Sequence, residues 1–215
     1  MASPTWRRRA LFLFMGIALA FFAATLAERI AGDGAGLLEI YDTTSEGGPG
    51  AWVSGLLLLT CALLCLRHWV PLAIALAIAA VDEVAQFHEA APAAIMGFLQ
   101  DDVGLAKNPA RLVAAVATIA VVAAAVAAVR PWYRSLPVPT RRLVAISAAL
   151  FLGGAVGLEL VARLFDRSQE GLTLWLGPFE ELLEMAGAAI LAYALWPTAA
   201  PVSFGGSRLE ETGAS

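Results

Sequence analysis

At 215 residues, with 60% hydrophobic and 15% charged positions and a mean hydropathy of +0.75, the chain is far more apolar than a soluble domain, which is about 45–50% apolar and about 25% charged. It reads as an integral membrane protein. Its 14 Lys and Arg against 18 Asp and Glu give a net charge of −4, which excludes a basic nucleic-acid surface, and its two cysteines, Cys61 and Cys65 inside one apolar run, form neither a disulfide framework nor a CxxC motif.

A helix needs about 20 mostly apolar residues to cross about 30 Å of hydrocarbon. Six stretches meet that need, at 10–27, 51–67, 70–90, 111–129, 143–163 and 173–196. They are continuous Ala, Leu, Val and Ile runs rather than alternating strands, which excludes a transmembrane barrel, so the expected fold is all-α: one membrane domain, a bundle of six helices. The first stretch follows Arg7, Arg8 and Arg9 and resembles a signal peptide, but its apolar core exceeds the usual length of about 7–15 residues and Thr25-Leu26-Ala27 is a poor cleavage site. Residues 28–50, rich in Gly and acids, read as a turn-rich loop. In the second stretch Cys61 and Cys65 lie four residues apart and are explained as small buried hydrophobes. His68, between Arg67 and Trp69, reads as an interfacial residue.

The third stretch ends Asp82-Glu83-Val84-Ala85-Gln86-Phe87-His88-Glu89. Residues 91–100 are too short to span and read as an interfacial segment. The fourth stretch is almost pure Ala, Val and Ile. In the fifth, Gly153 and Gly157 form a GxxxG spacing suited to close helix packing, and Glu159 with Arg163 form an i, i+4 ion pair. The sixth contains Pro178, positioned to kink or restart the helix, followed by Glu180, Glu181 and Glu184. The tail from Pro197 to Ser215 is small, polar and expected to be disordered.

Orientation follows from the basic residues flanking the spans. With both termini cytoplasmic, nine of the 14 Lys and Arg fall on the inner side. Trp6, Trp69, Trp132 and Trp196 then mark the inner boundary, and Trp52 and Trp175 the outer one. Only Glu210 and Glu211 of the 18 acids are cytoplasmic in this arrangement. An acid at a helix centre costs roughly 2.5–3.5 kcal/mol, while each large aliphatic residue returns only about 0.3–0.6 kcal/mol. Asp82 and Glu83 together therefore nearly cancel the insertion energy of the third stretch, so they must face protein or water and be paired, protonated or bound to a cation.

On a continuous helix each residue advances about 100°. Asp82, Glu83, Gln86 and Glu89 then share an arc of about 120°, with His88 off that face. Glu180, Glu181 and Glu184 share one face of the sixth stretch, running the opposite way, so the two acidic faces meet at one depth. Neither stretch holds Lys or Arg. An oxygen-rich set suits Mg²⁺, Ca²⁺ or Mn²⁺, with Fe or Zn admitted if His88 joins. Asp82, Glu89, Glu180 and Glu184 are the candidate metal ligands, and Glu83, His88 and Glu181 the candidate acid–base or catalytic groups. Glu83 and His88 are five apart, against an ordinary di-iron Glu-x-x-His site. Two histidines at opposite boundaries do not hold a haem, and no Walker loop suggests a nucleotide.

Glu46-Gly47 ahead of Pro49 and Trp52, Asp82-Glu83-x4-His88-Glu89, Gly157-x-Glu159 and Glu180-Glu181-x2-Glu184-Met185 together resemble a group of uncharacterised bacterial polytopic membrane proteins, over residues 40–190. In that group the loop motif runs closer to Glu-Gly-Asn-x-Pro-x-Trp, from which Gly48 and the extra residue before Trp52 depart. The resemblance implies a bacterial inner-membrane protein with a six-helix fold, and no particular reaction. The sequence thus supports a membrane protein with an outward-facing carboxylate site for a divalent metal, acting as a metalloenzyme on a lipid-type substrate. The alternatives are a proton- or cation-coupled transporter and an accessory subunit whose acids only fix helix packing. The bilayer is the expected partner, nucleic acid is not, and a homo-oligomer is compatible with the pattern.

Overall fold

The computed structural model of the chain describes residues 4–31, 48–66, 69–158, 160–161 and 170–196. They form helices α1 (Pro4–Ala31), α2 (Pro49–Cys65), α3 (Val70–Ala85), α4 (Phe87–Asp101), α5 (Lys107–Ser135), α6 (Val138–Leu152) and α7 (Glu170–Leu195), with no strand among the described residues. Prolines open four of these helices: Pro4, Pro49, Pro71 and Pro139 occupy first-turn positions, where a missing N–H costs nothing. After Leu152 the helix continues as one widened π-helical segment, Gly153–Leu158. Of the loop expected at 28–50, residues 28–31 continue α1 and 49–50 open α2; residues 32–47 and the whole tail from 197 lie outside the described residues.

Three helical segments are long and apolar enough to cross a membrane: Thr5–Ala27, Lys107–Ser135 and Val138–Leu158. A fourth forms if α3 and α4 are counted as one broken span. The other two stretches singled out by hydropathy are α2, apolar but only 17 residues long, and α7, which is 26 residues long and carries Glu180, Glu181 and Glu184 in its middle. Large exposed apolar side chains such as Phe12 (73%), Leu112 (65%) and Val121 (69%) would be a severe liability in water and are the natural surface in lipid.

The stretch 70–90 is not one helix, as its composition suggests. It stops at Ala85, where Gln86 adopts the left-handed conformation (φ 53°, ψ 35°) and its N–H closes the helix onto the carbonyl of Asp82 at 2.6 Å. Helix α4 then starts afresh, bent by 74° from α3, and residues 91–100 belong to it as regular helix. By contrast Pro178 neither ends nor restarts α7, which runs through it; the ring is fully buried, and the backbone forgoes the one bond its nitrogen cannot donate.

Helix α7 is the centre of the packing. Helices α1, α2, α6 and the π-helical segment all lie against it, while α2 also pairs with α3 and α4 packs on α5. The apolar core is built from Leu57, Leu58 and Cys61 of α2, Leu72 and Leu76 of α3, and the alanine face of α7 including Ala188, Ala189 and Ala192. At one end Trp6 lies 4.9 Å from Trp196 and Trp69 stacks 5.9 Å from Trp132, measured between ring centroids. There the Arg7 guanidinium donates to the Tyr193 carbonyl at 3.0 Å and sits 4.8 Å from the Tyr193 ring, tying α1 to α7.

Candidate functional site

Glu83 comes from the last turn of α3 and Glu184 from the middle of α7. With about 1.5 Å of rise per residue, Glu83 lies about 20 Å along α3 from Val70, and Glu184 about 18 Å back along α7 from Trp196. Because the Trp69 and Trp196 ends lie against one core cluster, the two carboxyl groups arrive at one depth. Each is only 5% exposed, and their side chains are hydrogen-bonded to each other. Two ionised carboxylates offer no donor, so a hydrogen bond between them requires at least one of the two to be protonated. Glu180 and Glu181 stand close enough on α7 to act electrostatically on Glu184, and one oxygen of Glu184, Oε1, is buried without a hydrogen-bond partner.

Glycines let the neighbouring backbones close around this pair. A Cβ at Gly154 would lie 2.8 Å from the Glu180 carbonyl oxygen, 3.1 Å from Glu184 Cγ and 3.2 Å from Leu183 Cβ. The widened turn of α6 is therefore pressed directly onto the acidic stretch of α7. One turn and a half further along, Gly187 meets Phe151 and Ser147 in the same way, and the Ser147 hydroxyl donates to the Gly187 carbonyl at 2.7 Å. On the other flank Gly55 of α2 lies beside Ala80, Glu83 and Val84.

A cavity of about 330 Å³ opens on the far side of Glu83, between α3, α4, α5 and the end of α6. Asp82 and Glu83 line it together with apolar side chains that include Pro92, Ile95, Val121 and Phe151. Glu83 thus belongs at once to the buried pair and to the cavity wall.

The structure brings together four of the acids that sequence reasoning selected, Glu83, Glu180, Glu181 and Glu184, and sets Asp82 on the cavity beside them. The placement of Glu89 and His88 on or off one helical face does not carry over, because the helix breaks at Gln86 before reaching them; their side chains lie outside the described residues. So do Glu159 and Arg163. Among the described residues no three His, Cys, Asp or Glu side chains converge in an arrangement that could hold a metal ion. The close approach expected of Gly153 and Gly157 falls on Gly154 instead: a Cβ at Gly153 would meet nothing within 4 Å, and one at Gly157 only its own helix. Gln86, expected on the acidic face of an unbroken helix, instead ends α3, and neither Gly187 nor the cavity wall from α5 was foreseen. The one available signal was the Gly153-Gly154 doublet, whose members point about 100° apart.

Residues 10–198 match the family described as a domain of unknown function (DUF8692), and the chain belongs to that family. No curated protein and no solved structure matches the chain.

Proposed function

We propose that this member of the family is a multi-pass membrane protein whose Glu83–Glu184 pair takes up and releases a proton as part of cation- or proton-coupled transport. The observation that carries this reading is the hydrogen bond between two buried carboxyl groups on separate helices, one of which also lines a cavity. Ionisable residues inside a membrane mark ion pathways and proton relays. A pair that holds a single proton between α3 and α7 can lose it only by separating or by gaining another cation, which links protonation to helix position or to ligand. The break at Gln86 directly after the site fits the discontinuous helices that line transporter sites.

The basic-residue distribution supports an orientation with both termini cytoplasmic, and the pairing of Trp6 with Trp196 is in keeping with those ends sharing one interface. The resemblance described above supports a bacterial inner membrane as the setting.

Infrared spectroscopy of the protein in lipid tests the pair directly. A protonated-carboxyl stretching band is expected in the wild type and is expected to be lost in Glu184→Gln and in Glu83→Gln. In proteoliposomes with an internal pH dye under an imposed membrane potential, proton flux is expected to fall at least tenfold in the same variants at unchanged protein content. A divalent metal at Asp82, Glu89, Glu180 and Glu184 makes the opposite forecast: stoichiometric metal in the wild type, lost in Glu184→Gln, with no protonated-carboxyl band. Lower abundance of both variants with no flux in the wild type would leave only the packing role.

A further inference from the structure

Resting on the proton-exchange reading of Glu83 and Glu184, we infer that the cavity beside them receives an apolar organic cation, an alkyl- or arylammonium, whose positive charge replaces the shared proton. The cavity's volume of about 330 Å³ falls at the lower end of the range for small-molecule pockets, about 300–1,000 Å³. Among the described residues its lining holds two carboxyl side chains, Asp82 and Glu83, and no Lys, Arg or His. An anion is repelled there. A small inorganic cation would have to trade its water for a wall whose described residues are otherwise apolar apart from Thr118. A neutral hydrocarbon fits the wall but makes no use of the acids. A cation with an apolar body satisfies both, and Phe151 adds an aromatic side chain of the kind that attracts ammonium groups.

The route in is from the lipid. Val121 lines the cavity and is also 69% exposed on the outer apolar surface of α5, and Ile95 of α4 lines it while 37% exposed. The cavity wall is therefore continuous with the bilayer-facing surface, where an amphiphilic cation partitions.

Charge balance couples the two events. Among the described residues the titratable groups facing the pair are Glu180 and Glu181 on α7 and Asp82 beside Glu83 on α3; residues 10–27, 143–158 and 112–129 of the flanking helices carry none, α2 offers only Cys61 and Cys65, and α4 carries His88 and Glu89 in its first turn and Asp101 at its far end. When an ammonium sits against Glu83, its charge does what the proton did for the pair. One cation enters, one proton leaves to water, and the net charge of the site is unchanged. Glu184 Oε1, buried without a partner, leaves that side chain an unused acceptor position as Glu83 turns to the ligand.

Hexyltrimethylammonium is the appropriate probe, since it can neither give nor accept a proton. Titrated into the full-length protein in a non-ionic detergent at low buffer capacity, it is expected to bind saturably and to release about one proton per cation bound. Hexyl sulfate is expected to do neither. Ala117→Phe, which fills the cavity from α5, and Val121→Trp, at a position exposed enough to accept the larger ring, are each expected to weaken binding at least tenfold. Melting curves identify any variant that has lost its fold, and one intact variant suffices. Saturable binding without proton release, binding unaffected in both folded variants, or equal binding of hexyl sulfate would overturn the inference. If the wild type shows the protonated-carboxyl band but binds no cation, the inference fails and the proton-exchange reading stands; if the band itself is absent, the earlier reading fails first.

Discussion

Adjacent glycines, Gly153 and Gly154, offer a controlled test of how the site is built. Both lie in the same π-helical segment, so replacing either with Ala changes helix propensity by a similar amount, up to about 1 kcal/mol in favour of Ala. They differ in surroundings: a Cβ at Gly153 meets nothing within 4 Å, whereas one at Gly154 comes to 2.8 Å from the Glu180 carbonyl oxygen, about 0.6 Å short of ordinary contact at 3.4 Å. That oxygen is backbone and cannot rotate aside, so α6 must back away from α7. Overpacking of this kind costs about 1–3 kcal/mol, and for a chain of this length each kcal/mol is about 2–4 °C. Thermal unfolding in detergent, followed by tryptophan fluorescence, is therefore expected to place Gly154→Ala about 2–12 °C below Gly153→Ala. The protonated-carboxyl band of the Glu83–Glu184 pair is expected to shift in Gly154→Ala alone. Equal melting temperatures, or a more stable Gly154→Ala, would refute the close packing of α6 on the acidic stretch.

Two further predictions concern the helices around the site. A left-handed conformation costs a non-glycine residue about 1–2 kcal/mol, so Gln86→Gly is expected to hold or raise the melting temperature, while the β-branched Gln86→Val lowers it by several degrees. Cys61 and Cys65 are 0% and 4% exposed, so maleimide labelling in membranes is expected to proceed at the rate of global unfolding rather than at the rate of an open thiol.

What could be read from the sequence follows from what the bilayer demands. Spanning segments must be apolar runs, so α1, α5 and α6 announce themselves, and acids placed inside such runs at matched depth foretell that α3 and α7 meet, as Glu83 and Glu184 do. Depth is a matter of rise per residue and needs no tertiary knowledge. Facing direction is different. The wheel that set Glu89 beside Asp82 assumed an unbroken helix, and Gln86 breaks it with a conformation that glycine, not glutamine, usually signals. The same limit applies at Gly154, where one step along the doublet turns the contact by about 100°. The cavity was out of reach, because its wall is shared among four helices and α5 carries no local mark of the side it turns to α4.

The energetics of the pair also separate an exchange site from a packing device. Removing one carboxyl leaves its partner buried with an unmet hydrogen bond, at a cost of about 1–3 kcal/mol, whereas replacing both with apolar groups of similar shape is nearly neutral or stabilising. If Glu83 and Glu184 served only to lock α3 to α7, Glu83→Leu combined with Glu184→Met would do that work equally well, and the double variant would melt at or above the wild type and keep whatever activity the protein has. The exchange reading agrees on stability and parts from packing on function: the double variant is expected to be well folded, to recover the stability lost in either single change, and to pass no protons in liposomes. A double variant that is stable and still supports wild-type flux would show that the proton held between these helices is not the one that moves.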